Sequence, residues 1–142
     1  MCYVMKEQGE RFDGWGKSIV KLVEMDDKIT LSEQMEEEDI GPVILINKFN
    51  VKPEEVDRFL RAWAADAAYF KSQPGFISTQ LHRGIGGSSV LVNYAVWEST
   101  VLYKKAFKNH EFQPHLEKYP PPSTVTSPYL FKKVAVHGIC MD

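Results

Sequence analysis

Between Pro42 and Pro53 the chain reads Val43-Ile44-Leu45-Ile46-Asn47-Lys48-Phe49, and this run constrains the fold more than any other. Rich in β-branched and apolar side chains and bracketed by prolines, it reads as a buried strand. Pro53-Glu54-Glu55 then opens a helix, since proline is tolerated in the first turn and carboxylates are favoured at the positive end. Val56, Phe59, Leu60, Trp63, Ala67 and Phe70 recur at spacings of three and four, which predicts an amphipathic helix of about five turns ending before Pro74-Gly75. Phe76 to Arg83 and Ser89 to Trp97 read as two more strands, joined by Gly84-Ile85-Gly86-Gly87 as a hairpin loop. Ser99 is a natural N-cap for a second helix carrying Val101, Leu102, Ala106 and Phe107. The loop Tyr119-Pro120-Pro121-Pro122 leads to a last strand, expected over Tyr129 to His137.

The order is β-α-β-β-α-β, an α+β fold of the ferredoxin-like type. Helices on one face of a four-stranded sheet leave the other face needing cover, and a second copy of the chain is the simplest supply. The expectation is a homodimer.

Residues 1–41 differ in character from residues 42–142 and read as an N-terminal extension that packs on the domain or on a second copy. Trp15, Ile19, Leu22 and Val23 fall at helical spacing, which predicts a short helix there. Thr30 and Glu33 fit a capping box, and Glu36-Glu37-Glu38-Asp39 reads as a solvated turn.

With 142 residues the chain suits one core, and its net charge of −2 gives no field to gather nucleic acid or anionic lipid. No stretch approaches the ~18 apolar residues of a membrane span, and the N-terminus lacks the apolar core of a secretion signal. The cysteines, Cys2 and Cys140, stand one at each end. Intracellular thiols are the simpler reading, with a bridge between the termini as the alternative. A cytoplasmic location is expected. No His, Cys or carboxylate cluster has metal-ligand spacing, and no glycine-rich strand-to-helix turn suggests a nucleotide, so neither metal nor cofactor is expected.

Gln73-Pro74-Gly75-Phe76-Ile77-Ser78, Leu81-His82-Arg83 and Val92-Asn93-Tyr94-Ala95-Val96-Trp97-Glu98-Ser99 resemble the antibiotic biosynthesis monooxygenase family of dimeric α+β barrels. The likeness covers about residues 42–137. Its nearest functional form is the anthrone oxygenases of aromatic polyketide pathways. Their asparagine and tryptophan, four apart on the third strand, are matched by Asn93 and Trp97, and their tyrosine six residues later by Tyr103. A histidine ending their second strand is matched by His82. Their basic residue near the second helix has no clean counterpart, because Glu117 stands there beside Lys118.

The resemblance implies a cofactor-free reaction of dioxygen with a small aromatic, quinone-like substrate. Ground-state dioxygen reacts slowly with closed-shell carbon, so the substrate must supply the electrons once deprotonated to an enolate. Asn93 would donate to the oxyanion, Trp97 would offer a flat surface and an indole N–H, and Tyr103 would bond a second oxygen. His82, as the imidazole of the set, would accept the proton. Asn47, Trp63, Tyr69 and His115 are expected to line the substrate site. Plainer readings stand beside these: Trp97 and Trp63 as core, Asn93 as a structural amide, Tyr103 as a packed or surface ring, His82 as a solvated hairpin residue.

Two rival functions deserve mention. Haem-degrading relatives share an asparagine matched by Asn47, but their tryptophan and haem-ligating histidine fall at Ala106 and Leu116. The other rival is a non-catalytic small-molecule-binding or interaction module, since the fold carries several unrelated chemistries.

Overall fold

A computed structural model describes residues 4–6, 10–12, 18–38, 41–112 and 124–140. The strands are β1 (Val4–Lys6), β2 (Glu10–Phe12), β3 (Ser18–Leu22), β4 (Val43–Asn50), β5 (Phe76–Arg83), β6 (Val90–Trp97) and β7 (Val125–Phe131). The helices are α1 (Leu31–Glu36), α2 (Val56–Lys71, after a 3-10 turn at Pro53–Glu55) and α3 (Thr100–Phe107).

The sheet order is β1-β2-β3-β7-β4-β6-β5. Its last four strands pair antiparallel and, with α2 and α3, form the expected ferredoxin-like β-α-β-β-α-β unit. The apolar stripe of α2 lies against one face of that sheet: Val56, Phe59 and Ala62 are buried there. Leu60, expected in the stripe, is instead 37% exposed, because the buried line runs through its neighbours Phe59 and Ala62. Phe49, Leu91 and Trp97 cover the other side of the core.

Local chemistry places the joints. Gly86 and Gly87 take φ of 74° and 79° in the β5–β6 loop, a region that glycine enters without strain. Gly75 turns the chain from α2 into β5 at φ 92°, and a Cβ there would sit 2.5 Å from Leu102 Cβ. The Ser99 hydroxyl accepts from Leu102 N at 3.1 Å and caps α3.

Two expectations are corrected here. The helix predicted around Ile19, Leu22 and Val23 is strand β3, while Trp15 lies outside the described residues. β3 pairs antiparallel with β2 and parallel with β7, so pairing with an edge far along the chain outweighs the local helical spacing. The last strand is Val125–Phe131, not Tyr129 to His137. Pro128 is tolerated within it because β3 pairs with β7 only at Val125 and Thr126, leaving an edge beyond. The chain then closes with an isolated bridge between Val136 and Cys140.

That edge is covered by α1. Thr30 and Glu33 form the capping box expected of them, and Leu31 and Met35 join the core. The Gln34 side chain imitates a strand partner. Its Nε2 donates to Leu130 O and its Oε1 accepts from Leu130 N, both at 2.9 Å. Lys104 donates to Glu36 at 3.0 Å, and this bond holds the Glu36 carboxyl below its ordinary pKa. Cys140 is a free, exposed thiol, and Cys2 lies outside the described residues. Among the described residues no helix is long and apolar enough to cross a membrane.

Candidate functional site

Between the helices and the sheet lies a cavity of ≈ 80 Å³. This is several times the ~10–15 Å³ that one water needs. Side-chain alternation decides what enters it. From β4 come Leu45, Asn47 and Phe49, from β6 Asn93, Ala95 and Trp97, and from β7 Thr126 and Pro128. Helix α2 supplies Trp63, Asp66, Ala67 and Phe70, and α3 supplies Tyr103 and Phe107. The walls are mainly aromatic. Trp97, only 1% exposed, meets Tyr103, Phe76 and Phe70 edge-on at centroid separations of 5.4, 5.6 and 5.8 Å. Pairs of this kind add about 0.5–1.5 kcal/mol each beyond their burial, so the wall is stiff.

Two carboxamides stand out on the sheet side. Asn47 and Asn93 are direct Cα partners across β4 and β6. Asn47 Oδ1 accepts from the Thr126 hydroxyl at 2.7 Å and from Ser127 N at 3.2 Å. A backbone N–H can only donate, so the orientation of this amide is fixed. Asn93 Oδ1 accepts from the Thr79 hydroxyl at 2.5 Å. With both oxygens engaged, the NH₂ groups are the available ends, and neither is bonded to protein among the described residues. The site therefore presents paired hydrogen-bond donors in an aromatic enclosure, an arrangement suited to a flat molecule bearing a carbonyl or enolate oxygen.

Of the residues singled out in the sequence, the structure brings Asn47, Asn93, Trp63, Trp97 and Tyr103 to one cavity. Tyr69 is not part of its lining. Its hydroxyl donates to Ala106 O at 2.8 Å and its ring stacks on Phe112, so it ties α2 to α3 behind the wall. His82 requires a correction. It pairs with Val92, the outward neighbour of Asn93, and lies exposed on the opposite face of the sheet, with Nδ1 3.3 Å from Val92 O. Strand parity, which sends Thr79 inward, sends His82 away. His115, Leu116, Glu117 and Lys118 lie outside the described residues.

Sequence reasoning missed Asp66, Thr79 and Thr126. Asp66 had a usable signal, because it completes the spacing Phe59, Trp63, Asp66, Phe70 on the buried side of α2. The threonines had none, since their value depends on which strands become neighbours.

The sequence profile described as antibiotic biosynthesis monooxygenase matches residues 42–119, more than half of the chain. The chain belongs to that family. The family match covers β4 through α3, the elements that build most of the cavity. Deoxynogalonate monooxygenase of Streptomyces nogalater is 32% identical over 77 residues, which make up 54% of this chain. The chain spans 64% of that relative's length. Among solved structures, SnoaB of the same organism, described as a cofactor-independent oxygenase, superimposes with a TM-score of 0.59 at 26% identity. That likeness covers 69% of this chain and 98% of SnoaB. A variant of MhuD carrying two manganese protoporphyrin IX molecules per active site superimposes with a TM-score of 0.54 at 23% identity, over 68% of this chain and 98% of MhuD. At that identity only the fold is shared. Within this family fold, no group of three or more His, Cys, Asp or Glu among the described residues is arranged to hold a metal ion.

Proposed function

We propose that the protein is a cofactor-independent monooxygenase that uses dioxygen to oxidise a small aromatic, quinone-like substrate, and that it works as a homodimer. The observation that carries the reading is the Asn47–Asn93 pair. Both amides are turned by hydroxyl donors so that N–H groups face an aromatic cavity. In such a site a substrate of the anthrone type loses a proton to become an enolate, and the enolate oxygen collects the charge. Donors placed there before the reaction stabilise that charge without reorganising, and one of them is worth about 3 kcal/mol of barrier. Tyr103 serves a second oxygen of the substrate, and Trp97 and Trp63 set the width of the slot. The electron-rich enolate then passes one electron to dioxygen, which is the step that metal or flavin serves elsewhere. The family membership and the likeness to SnoaB support the chemistry, and the exposed Tyr94 and Ile77 on the outer face of the sheet support the dimer.

The test is oxygen uptake by metal-stripped protein supplied with dithranol, an anthrone, beside the Asn93→Ala and Trp97→Phe variants. Uptake above the uncatalysed rate that collapses in the variants is the expected result. No uptake above background overturns the reading.

A further inference from the structure

The reaction proposed above begins with the removal of a proton from carbon, and His82, on the outer face of the sheet, cannot receive it. The helix side of the cavity holds a better placed group. Asp66 sits on α2 one turn after Trp63 and one turn before Phe70, both of which line the cavity with it. It is 8% exposed in a helix face that is otherwise apolar. Leucine or alanine at that position would favour the helix and the core alike. A carboxylate there carries a desolvation penalty that packing alone does not require. The cavity also separates the tasks. The amides of Asn47 and Asn93 rise from the sheet, whereas Asp66 descends from the helix. Among the described lining residues Asp66 is the one carboxylate, and Tyr103, a phenol that can donate a proton, lines the same cavity.

We propose that Asp66 is the proton acceptor of this site. The claim rests on the oxygenase reading and adds a catalytic residue to it. The carboxylate removes a C–H proton from the substrate methylene. The C–H bond breaks, an O–H bond forms on Asp66, and the electron pair stays on the substrate as its enolate, whose oxygen the amides hold. Over the whole reaction one CH₂ group and one O₂ become one C=O and one H₂O, so the proton taken by Asp66 ends in that water. Placing base and oxyanion donors on opposite walls means that a flat substrate between them meets both at once.

The test separates the proton step from oxygen. Dithranol is incubated anaerobically in D₂O with the full-length protein, and NMR follows the loss of its methylene protons by exchange. Wild type should exchange them well above the buffer rate. Asp66→Asn should lose about 10²–10⁴-fold of that acceleration, the range of a positioned general base. Asp66→Glu should recover part of it, and formate should partly rescue Asp66→Ala, which a purely structural role would not produce. Circular dichroism checks each fold, and if Asp66→Asn does not fold, the Glu variant and the formate rescue carry the test. Wild-type exchange rates in folded Asp66→Asn overturn the proposal while leaving the oxygenase reading standing. Oxygen uptake by wild type without accelerated exchange overturns it equally. A wild type that neither exchanges protons nor consumes oxygen overturns both.

Discussion

Successive residues of β4 and β6 point to opposite faces of the sheet, so the same two strands carry two kinds of surface. Asn47 and Asn93 enter the cavity, while Ile46 and Tyr94, one position away and paired with each other, face outward. The inward amides have their oxygens fixed by Thr126, Ser127 and Thr79. The outward face mixes exposed apolar side chains, Tyr94 at 40% and Ile77 at 51%, with the polar Lys48, Gln80 and His82. One register therefore sets both surfaces. A slip of one residue would put the isoleucine and tyrosine in the cavity and the amides outside, so selection for either surface holds the other in place.

The largest effect should follow from emptying the inward face. Asn93→Ala is expected to lower kcat on an anthrone by about 10²–10³-fold, the usual loss of one oxyanion donor. Its melting temperature should stay within a few degrees of wild type, since only the Thr79 hydroxyl loses an acceptor. Oxygen uptake and a thermal melt decide it, and a collapse of stability would mark Asn93 as a structural amide. Asn47→Ala sharpens the contrast because two donors, the Thr126 hydroxyl and Ser127 N–H, lose their acceptor. It should reduce activity and also destabilise the fold by about 1–3 kcal/mol, measured by urea denaturation.

Turning to the outward face, Tyr94→Lys should act on association before anything else. A charge in the centre of that face, among Ile46 and Ile77, should convert a dimer to monomers in sedimentation, with the monomer's circular dichroism unchanged. If wild type already sediments as a monomer, the outward face has another use and the comparison fails on that side.

Reading these two faces from the sequence succeeded where the period was local. Leu91, Asn93, Ala95 and Trp97 share a face because strands alternate, and the α2 stripe follows from the helical repeat. The caps at Thr30 and Ser99 depend on neighbours three residues away, and both formed. Failures came where distant pairing decides. Trp15, Ile19, Leu22 and Val23 fit a helix, yet Ser18–Leu22 became a strand once an edge of β7 was available. Of β7, Tyr129 to Phe131 was expected, while Val125 to Pro128 was missed because a proline and hydroxyl side chains break the apolar pattern there. The Thr126 hydroxyl and the Ser127 N–H hold Asn47, so half of the amide cradle was invisible until β7 lay beside β4. Asp66 was legible in its spacing, but a stripe drawn from apolar residues alone passed over it.

His82 offers the smallest expected effect and the sharpest check on the division of the sheet. The residue follows Leu81, which pairs with Asn93, so β5 sends it to the side shared with Val92 and away from the cavity. Its imidazole is exposed, with the Val92 carbonyl as its neighbour at 3.3 Å. His82→Ala should therefore keep kcat and KM on an anthrone within about twofold of wild type and change stability by less than about 0.5 kcal/mol, as a surface substitution does. Steady-state oxygen uptake across neutral pH measures the first and a urea melt the second. A large loss of kcat with the fold intact would mean that the outer face takes part in the chemistry. In a dimer that face meets its partner, and one copy would then complete the other's site. That outcome would join the two surfaces that the strands keep apart, and Asp66 would lose its place as the proton acceptor.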